Sequence, residues 1–140
     1  MLILGRFSEE RKAVLDALRD ALRQLDKTPI LFDFDKPSSK DVLGTVETLA
    51  RMARFIIADI TDPSSVPMEL AYVVRDLPNT PVLPLLLEGA TEFSMFADLR
   101  RRHPWVMDTQ RYRDQASLLA ALPALIAPAD ALAAKLRSPT

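Results

Sequence analysis

The stretch Phe55–Val74, FIIADITDPSSVPMELAYVV, decides how the chain folds, because two hydrophobic periods meet inside it. Phe55 to Ala58 is continuously apolar and partly β-branched, the signature of a strand covered on both faces. Asp59 to Ser65 reads as a turn, and Val66, Leu70, Val73, Val74 and Leu77 then recur along one helical face. Pro78-Asn79-Thr80-Pro81 ends that helix, because proline brings no backbone donor and clashes with the preceding turn. A doubly covered strand feeding a helix is the repeating unit of a parallel sheet.

The unit recurs on either side. Met1–Leu4 is a first strand, and Ser8 offers an N-cap with Glu9 and Glu10 in the first turn, where the helix dipole favours negative charge. Val14, Ala17, Leu18, Ala21, Leu22 and Leu25 trace the helix that follows, up to Asp26-Lys27-Thr28-Pro29. Ile30–Phe34 is a second strand with Asp33 and Asp35 at its carboxyl end, and Pro37-Ser38-Ser39 makes the turn. A second helix then runs along Val42, Val46, Leu49, Ala50 and Ala53, with Gly44 inside it for no evident reason. The fourth strand, PVLPLLL, carries Pro84, which a central strand accepts only at an end or a bulge. A short helix over Glu92–Arg102, a fifth strand in PWVMDT, and a helix over Gln115–Leu136 interrupted near Pro123 and Pro128 complete the chain.

Five such units predict one domain over residues 1–140 with an α/β, flavodoxin-like fold: an open parallel five-stranded sheet with helices on both faces. Ligands of such sheets bind outside the carboxyl ends of the strands, where strand order reverses. The rule selects the loops Gly5–Ser8, Asp33–Ser39, Asp59–Glu69 and Leu87–Thr91.

Composition removes several functions. With 18 basic and 19 acidic residues the formal charge is -1, against the basic surplus of a nucleic-acid binder. Arg100-Arg101-Arg102 reads as a solvated loop or helix end. No cysteine is present, which excludes disulfides, thiolate metal sites and thiol nucleophiles. The single histidine, His103, precedes Pro104 and Trp105 and reads as a packing residue, so neither a transition-metal site nor a Ser-His-Asp triad is expected. The three glycines fit neither a dinucleotide fingerprint nor a P-loop. A phospho-accepting receiver domain needs paired acids after the first strand, where Gly5-Arg6 stands, and a lysine after the fifth, where PWVMDTQRYRD has none.

No apolar run approaches the roughly 20 residues that span a bilayer, and MLILGRF reads as a strand rather than a leader. The expectation is a cytoplasmic protein with neither a membrane nor a nucleic-acid partner.

What remains is a crevice of carboxylates: Asp33, Asp35, Asp59, Asp62 and Glu69, with Arg6 nearby. Carboxylates without a metal suit glycosidic-bond chemistry, in which a negative group stabilises an oxocarbenium-like transition state. They also hydrogen-bond ribose hydroxyls.

The segments LILGRFS, ILFDFD, RFIIADITDPSSVPMELAYVV and VLPLLL, in this order, resemble a Toll/interleukin-1 receptor (TIR) domain over Met1 to about Leu87. IIADIT and MELAYV are also similar to nucleoside 2-deoxyribosyltransferases, with Ala71 in the place of a glycine. In both families the glutamate opening this helix is catalytic, a role that falls on Glu69. The resemblance implies an enzyme that cleaves the nicotinamide–ribose bond of NAD, with NAD as substrate, no metal, and self-assembly into a homo-oligomer. The implied substrate contacts are Gly5, Arg6, Phe7, Asp33, Asp35, Asp59, Asp62 and Ser65. It also leaves two other readings: a non-catalytic TIR-like signalling module that associates with its own kind, and a deoxyribosyltransferase-like enzyme acting on nucleosides.

Plainer roles stand beside these. With Pro67 at the first helical position, Glu69 occupies the third, where a carboxylate is favourable without any function. Asp59 suits an Asx turn closing the strand as well as it suits a ligand contact. Phe7 fits a hydrophobic staple, and Trp105 a place in the core or an oligomer contact.

Overall fold

The computed structural model describes residues 1–5, 9–33, 42–61, 69–92 and 94–137. Strands β1 (Leu2–Gly5), β2 (Ile30–Asp33), β3 (Ile56–Asp59), β4 (Val82–Leu87) and β5 (Gln110–Tyr112) alternate with helices α1 (Glu9–Gln24), α2 (Val42–Met52), α3 (Glu69–Asp76), α4 (Ser94–Arg102) and α5 (Gln115–Arg137). All strand pairings are parallel and the order is β2-β1-β3-β4-β5, a flavodoxin-like open sheet.

Strand order explains where the helices lie. The chain steps outward from β1 to β2, then back across β1 to β3 and onward. Right-handed crossovers therefore place α1 on one face and α2, α3 and α4 on the other. Two core clusters follow. Leu2, Leu4, Ile56, Ala58, Val82 and Leu86 pack with Val46, Ala50, Val73, Val74, Phe96 and Leu99 of α2–α4. Ile3, Ile57, Leu83 and Leu85 pack with Leu15, Leu18 and Leu22 of α1 and Leu118, Leu122 and Ile126 of α5. The inner strands are thus apolar on both faces, and each such side chain contributes about 1.5–3 kcal/mol on burial.

The α1 stripe differs from the expected one. Arg11, Leu15, Leu18 and Leu22 are the buried positions, while Val14 and Ala21 sit at the margin and Leu25 is exposed. Pro84 lies in the middle of β4, not at its end. Val82 donates to the Trp105 carbonyl at 2.9 Å and accepts from Met107 at 2.8 Å. Alternation then points the backbone polar groups of residue 84 toward the same side. There the neighbouring chain makes only a bridge at Val106 and resumes pairing at Gln110. Pro84 meets the gap in β5, so no ladder bond is lost.

That gap also corrects the fifth strand. PWVMDT contributes only the Val106 bridge, and β5 is Gln110–Tyr112. Trp105 instead donates its ring N–H to the Val74 carbonyl at 2.9 Å and packs on the α2–α4 core, with the His103 ring 4.8 Å away. Helix α5 is likewise continuous through Pro123 and Pro128. Its buried residues are Leu118, Leu122, Ile126, Ala129 and Ala133, and both prolines lie on the exposed face. The carbonyls they leave without a donor are therefore turned toward water.

By length and composition α5 is apolar enough to cross a membrane, contrary to the expectation that no run comes close. Asp130, in its last third, is nonetheless paired with Lys27 and Arg54, and Arg137 donates to the Ala53 carbonyl at 2.6 Å. Arg100, read as solvated, is half-buried and clamps Glu92 and Thr109, whereas Arg101 and Arg102 are the exposed end of α4.

Helix α1 ends in a Schellman turn: Lys27 N–H reaches the Leu22 carbonyl at 3.0 Å and Asp26 N–H the Arg23 carbonyl at 3.2 Å. Asp26 holds φ at 61° there, a conformation that suits glycine better than a residue with a Cβ. Asp26→Gly is expected to stabilise the protein by about 0.5–1 kcal/mol in urea denaturation, despite the added freedom of the unfolded chain.

Candidate functional site

Strand order reverses between β1 and β3, so the crevice rule points to the carboxyl ends of these two strands. Register brings three of the expected positions level. Gly5 pairs with Asp33 across β1 and β2, and a Cβ placed on Gly5 would stand 3.5 Å from the Asp59 Cβ and 3.2 Å from Leu15. Gly5 is therefore a point of close approach, where Leu15 of α1 presses on the end of β1.

Alternation along β3 decides which way Asp59 faces. Ile56 and Ala58 point into the α2–α4 core and Ile57 into the α1–α5 core, so Asp59 points toward α1 and α5. There it is 2 % exposed, beside Arg11 at 8 % and Tyr112 at 6 %. Arg11 donates from Nε to Asp59 Oδ2 at 3.0 Å, with Nη2 also 3.0 Å from that oxygen. Arg11 Nη2 donates to the Tyr112 hydroxyl as well. The other carboxylate oxygen, Oδ1, accepts from the Thr61 hydroxyl at 2.7 Å and the Thr61 N–H at 3.3 Å. This is the Asx-turn geometry anticipated for Asp59. Thr61 Oγ1 in turn accepts from Leu87 N–H at 3.0 Å.

The network joins the start of α1 to the ends of β3, β4 and β5. A buried carboxylate is stable only when its charge and lone pairs are satisfied, and Asp59 has a guanidinium on one oxygen and a hydrogen-bonded turn on the other. Asp59 is thus buried in a hydrogen-bonded network at the carboxyl ends of β3, β4 and β5. Burial raises the Tyr112 hydroxyl above its ordinary value, and the Asp59 charge pushes the same way. Burial works to lower the Arg11 value, but Asp59 and Tyr112 outweigh it and raise the result.

Glu69 is the first residue of α3, which lies on the α2–α4 face. Asp59 thus faces α1 and α5, while α3, which begins at Glu69, packs on the other face of the sheet. Arg6, Phe7, Asp35, Asp62 and Ser65 lie outside the described residues, as does Pro67. Among the described residues no group of three or more histidine, aspartate or glutamate side chains is placed to hold a metal. A cleft of about 320 Å³ beside the end of β5 is lined by Glu88, Arg111, Tyr112, Arg113 and Ser117. Another of about 260 Å³ between α3 and α4 is lined by Tyr72, Arg75, Asp98, Arg102 and His103.

Sequence reasoning missed Arg11, Thr61 and Tyr112. The signal for Arg11 was present: it continues the Leu15, Leu18, Leu22 stripe by one turn, and a charge on a core stripe calls for a buried partner.

Removing one member of the pair strands the other charge. Arg11→Met is expected to cost about 3–5 kcal/mol at neutral pH in chemical denaturation. Tyr112 supplies a pH test. It is neutral when protonated, so its raised value adds stability that is complete below about pH 10 and lost as pH rises through the folded value. The stability of the native protein should therefore fall above about pH 10, and Tyr112→Phe should flatten that fall. Comparison with known proteins adds no relative: no family model, no curated protein and no solved structure matches this chain.

Proposed function

We propose that this chain is a TIR-like NAD nucleosidase that cleaves the nicotinamide–ribose bond, with Glu69 as its catalytic carboxylate. The observation that carries the reading is the place of Glu69. It opens α3 at the carboxyl end of a flavodoxin-order sheet, after the crossover from β3 at the switch point. A helix amino terminus favours the ionised form of a carboxylate, and an anion is what a ribosyl cation needs.

In this reading the bond from ribose C1′ to the nicotinamide nitrogen breaks, and nicotinamide departs neutral with the bonding electrons. Water adds to the cation and gives up a proton. Glu69 stabilises the cation and holds ribose hydroxyls. Gly5, Arg6, Phe7 and Ser65 meet phosphate and base, and Asp33, Asp35 and Asp62 meet the sugar. Asp59 acts from beneath, through the turn at Thr61. NAD is substrate, no metal takes part, and copies of the chain assemble in the cytoplasm without a nucleic-acid or membrane partner.

A second reading is a non-catalytic TIR-like module that associates with its own kind. Tyr72 favours it: the ring is half-exposed with the Arg75 guanidinium 5.1 Å away, and tyrosine and arginine are frequent anchors of protein interfaces.

The assay is nicotinamide release from NAD at high protein concentration or with a crowding agent. Glu69→Ala is expected to lower the rate about 100-fold or more. Equal release by both proteins removes Glu69 as the catalyst, and no release at any concentration, from NAD or from nucleosides, favours the module. Base exchange on a supplied deoxynucleoside and free base identifies a transferase instead.

A further inference from the structure

A buried ion pair is weak evidence for stability, because well-packed apolar residues of similar volume often serve as well or better. The Arg11–Asp59 pair is therefore better explained by what it holds in place. Arg11 lies in the first turn of α1, just past the exit of β1. Asp59 is the last residue of β3, before the crossover that leads to Glu69. Tyr112 is the last residue of β5, and Thr61 ties the same aspartate to Leu87, the last residue of β4. Four strand-to-helix junctions meet in one network, three of whose members are almost fully buried.

We propose that Arg11 is the positioning residue of the candidate site. It holds the amino end of α1 against the exits of β3 and β5, so that the two sides of the β1/β3 switch point keep a fixed separation. The inference rests on the reading of that crevice as the place where the nucleotide is cleaved. Arg11 is too buried to act as a substrate ligand, so its effect runs through Asp59 and Thr61 at the exit of β3. Displacing a catalytic group by about 1 Å can cost 100-fold in rate, which makes such a clamp visible in kcat.

The test uses variants that keep the fold. Arg11→Met combined with Asp59→Asn removes both charges of the pair together and retains an oxygen for Thr61. Tyr112→Phe releases only the β5 arm. Nicotinamide release is resolved into kcat and KM, and amide hydrogen exchange is followed at Thr61 and Leu87. The double variant is expected to lose about 10- to 100-fold in kcat with KM held within about 3-fold, and Tyr112→Phe to lose less. Exchange at the two amides should quicken about 10-fold in the double variant. Arg11→Lys, which keeps the charge but not the fork, should recover part of the kcat.

An unchanged kcat in a folded double variant overturns the proposal, whatever the exchange shows. A double variant that does not fold leaves the decision to Tyr112→Phe: a lower kcat at steady KM supports the clamp, and an unchanged one overturns it. Should the native protein cleave neither NAD nor a nucleoside, the functional reading fails separately. Exchange then decides: faster exchange in the folded variants supports the clamp, and unchanged exchange overturns it.

Discussion

An arginine and an aspartate, buried 3.0 Å apart at the carboxyl edge of the sheet, constrain how the rest of the molecule is arranged. Neither charge can leave water unless the other is in place, and each also needs neutral partners for its remaining hydrogen-bonding capacity. Those partners are Thr61 on the aspartate and Tyr112 on the arginine, so satisfying one pair draws four elements together. The approach needs space. Gly5 provides it, because a Cβ there would press on Leu15 at 3.2 Å and come into contact with the Asp59 Cβ at 3.5 Å. The missing Cβ at the end of β1 and the charge pair beside it are two parts of one packing solution.

The opposite edge is held by similar means. Asp130 accepts from Lys27 and Arg54, and Arg137 reaches the Ala53 and Asn79 carbonyls, which fastens α5 to the loops that enter β2, β3 and β4. This matters for α5 because its apolar character is weakly directional. Alanine, leucine and proline run around much of its circumference, so hydrophobicity alone sets its rotation poorly. The polar ties at Asp130 and Arg137 select the face carrying Leu118, Leu122, Ile126, Ala129 and Ala133. That choice turns Pro123 and Pro128 to the surface, where a carbonyl without a backbone donor can bond to water.

These constraints reshape the candidate site. A list of acids along the chain suggests one crowded pool of negative charge. In the fold, Asp59 is neutralised by Arg11 on the α1–α5 face, and Glu69 begins a helix on the other face. Asp59 therefore brings a compensated charge to the carboxyl edge of the sheet. Both roles considered for Asp59 bear on this, since the turn it closes is the start of the crossover toward Glu69.

Much of the fold was legible because burial on both faces leaves a mark that needs no partner to be seen. Leu2–Gly5, Ile56–Asp59 and Val82–Leu87 are apolar runs bounded by turn residues, and helical periods lie between them. Pattern alone thus determined an open parallel sheet. It erred where neighbours in space decide. PWVMDT has a strand's composition, yet it faces Pro84, which has no N–H to offer. Pro123 and Pro128 look like helix breaks, but a break depends on whether the freed carbonyls meet protein or water. Arg11 continues the buried stripe of α1, but its partner, Asp59, lies 48 residues away in sequence and no local pattern names it. Local sequence determined which segments become strands and helices. Only the tertiary structure decided which charges are buried together, because a long-range ion pair exists only once the sheet has brought its two ends into contact.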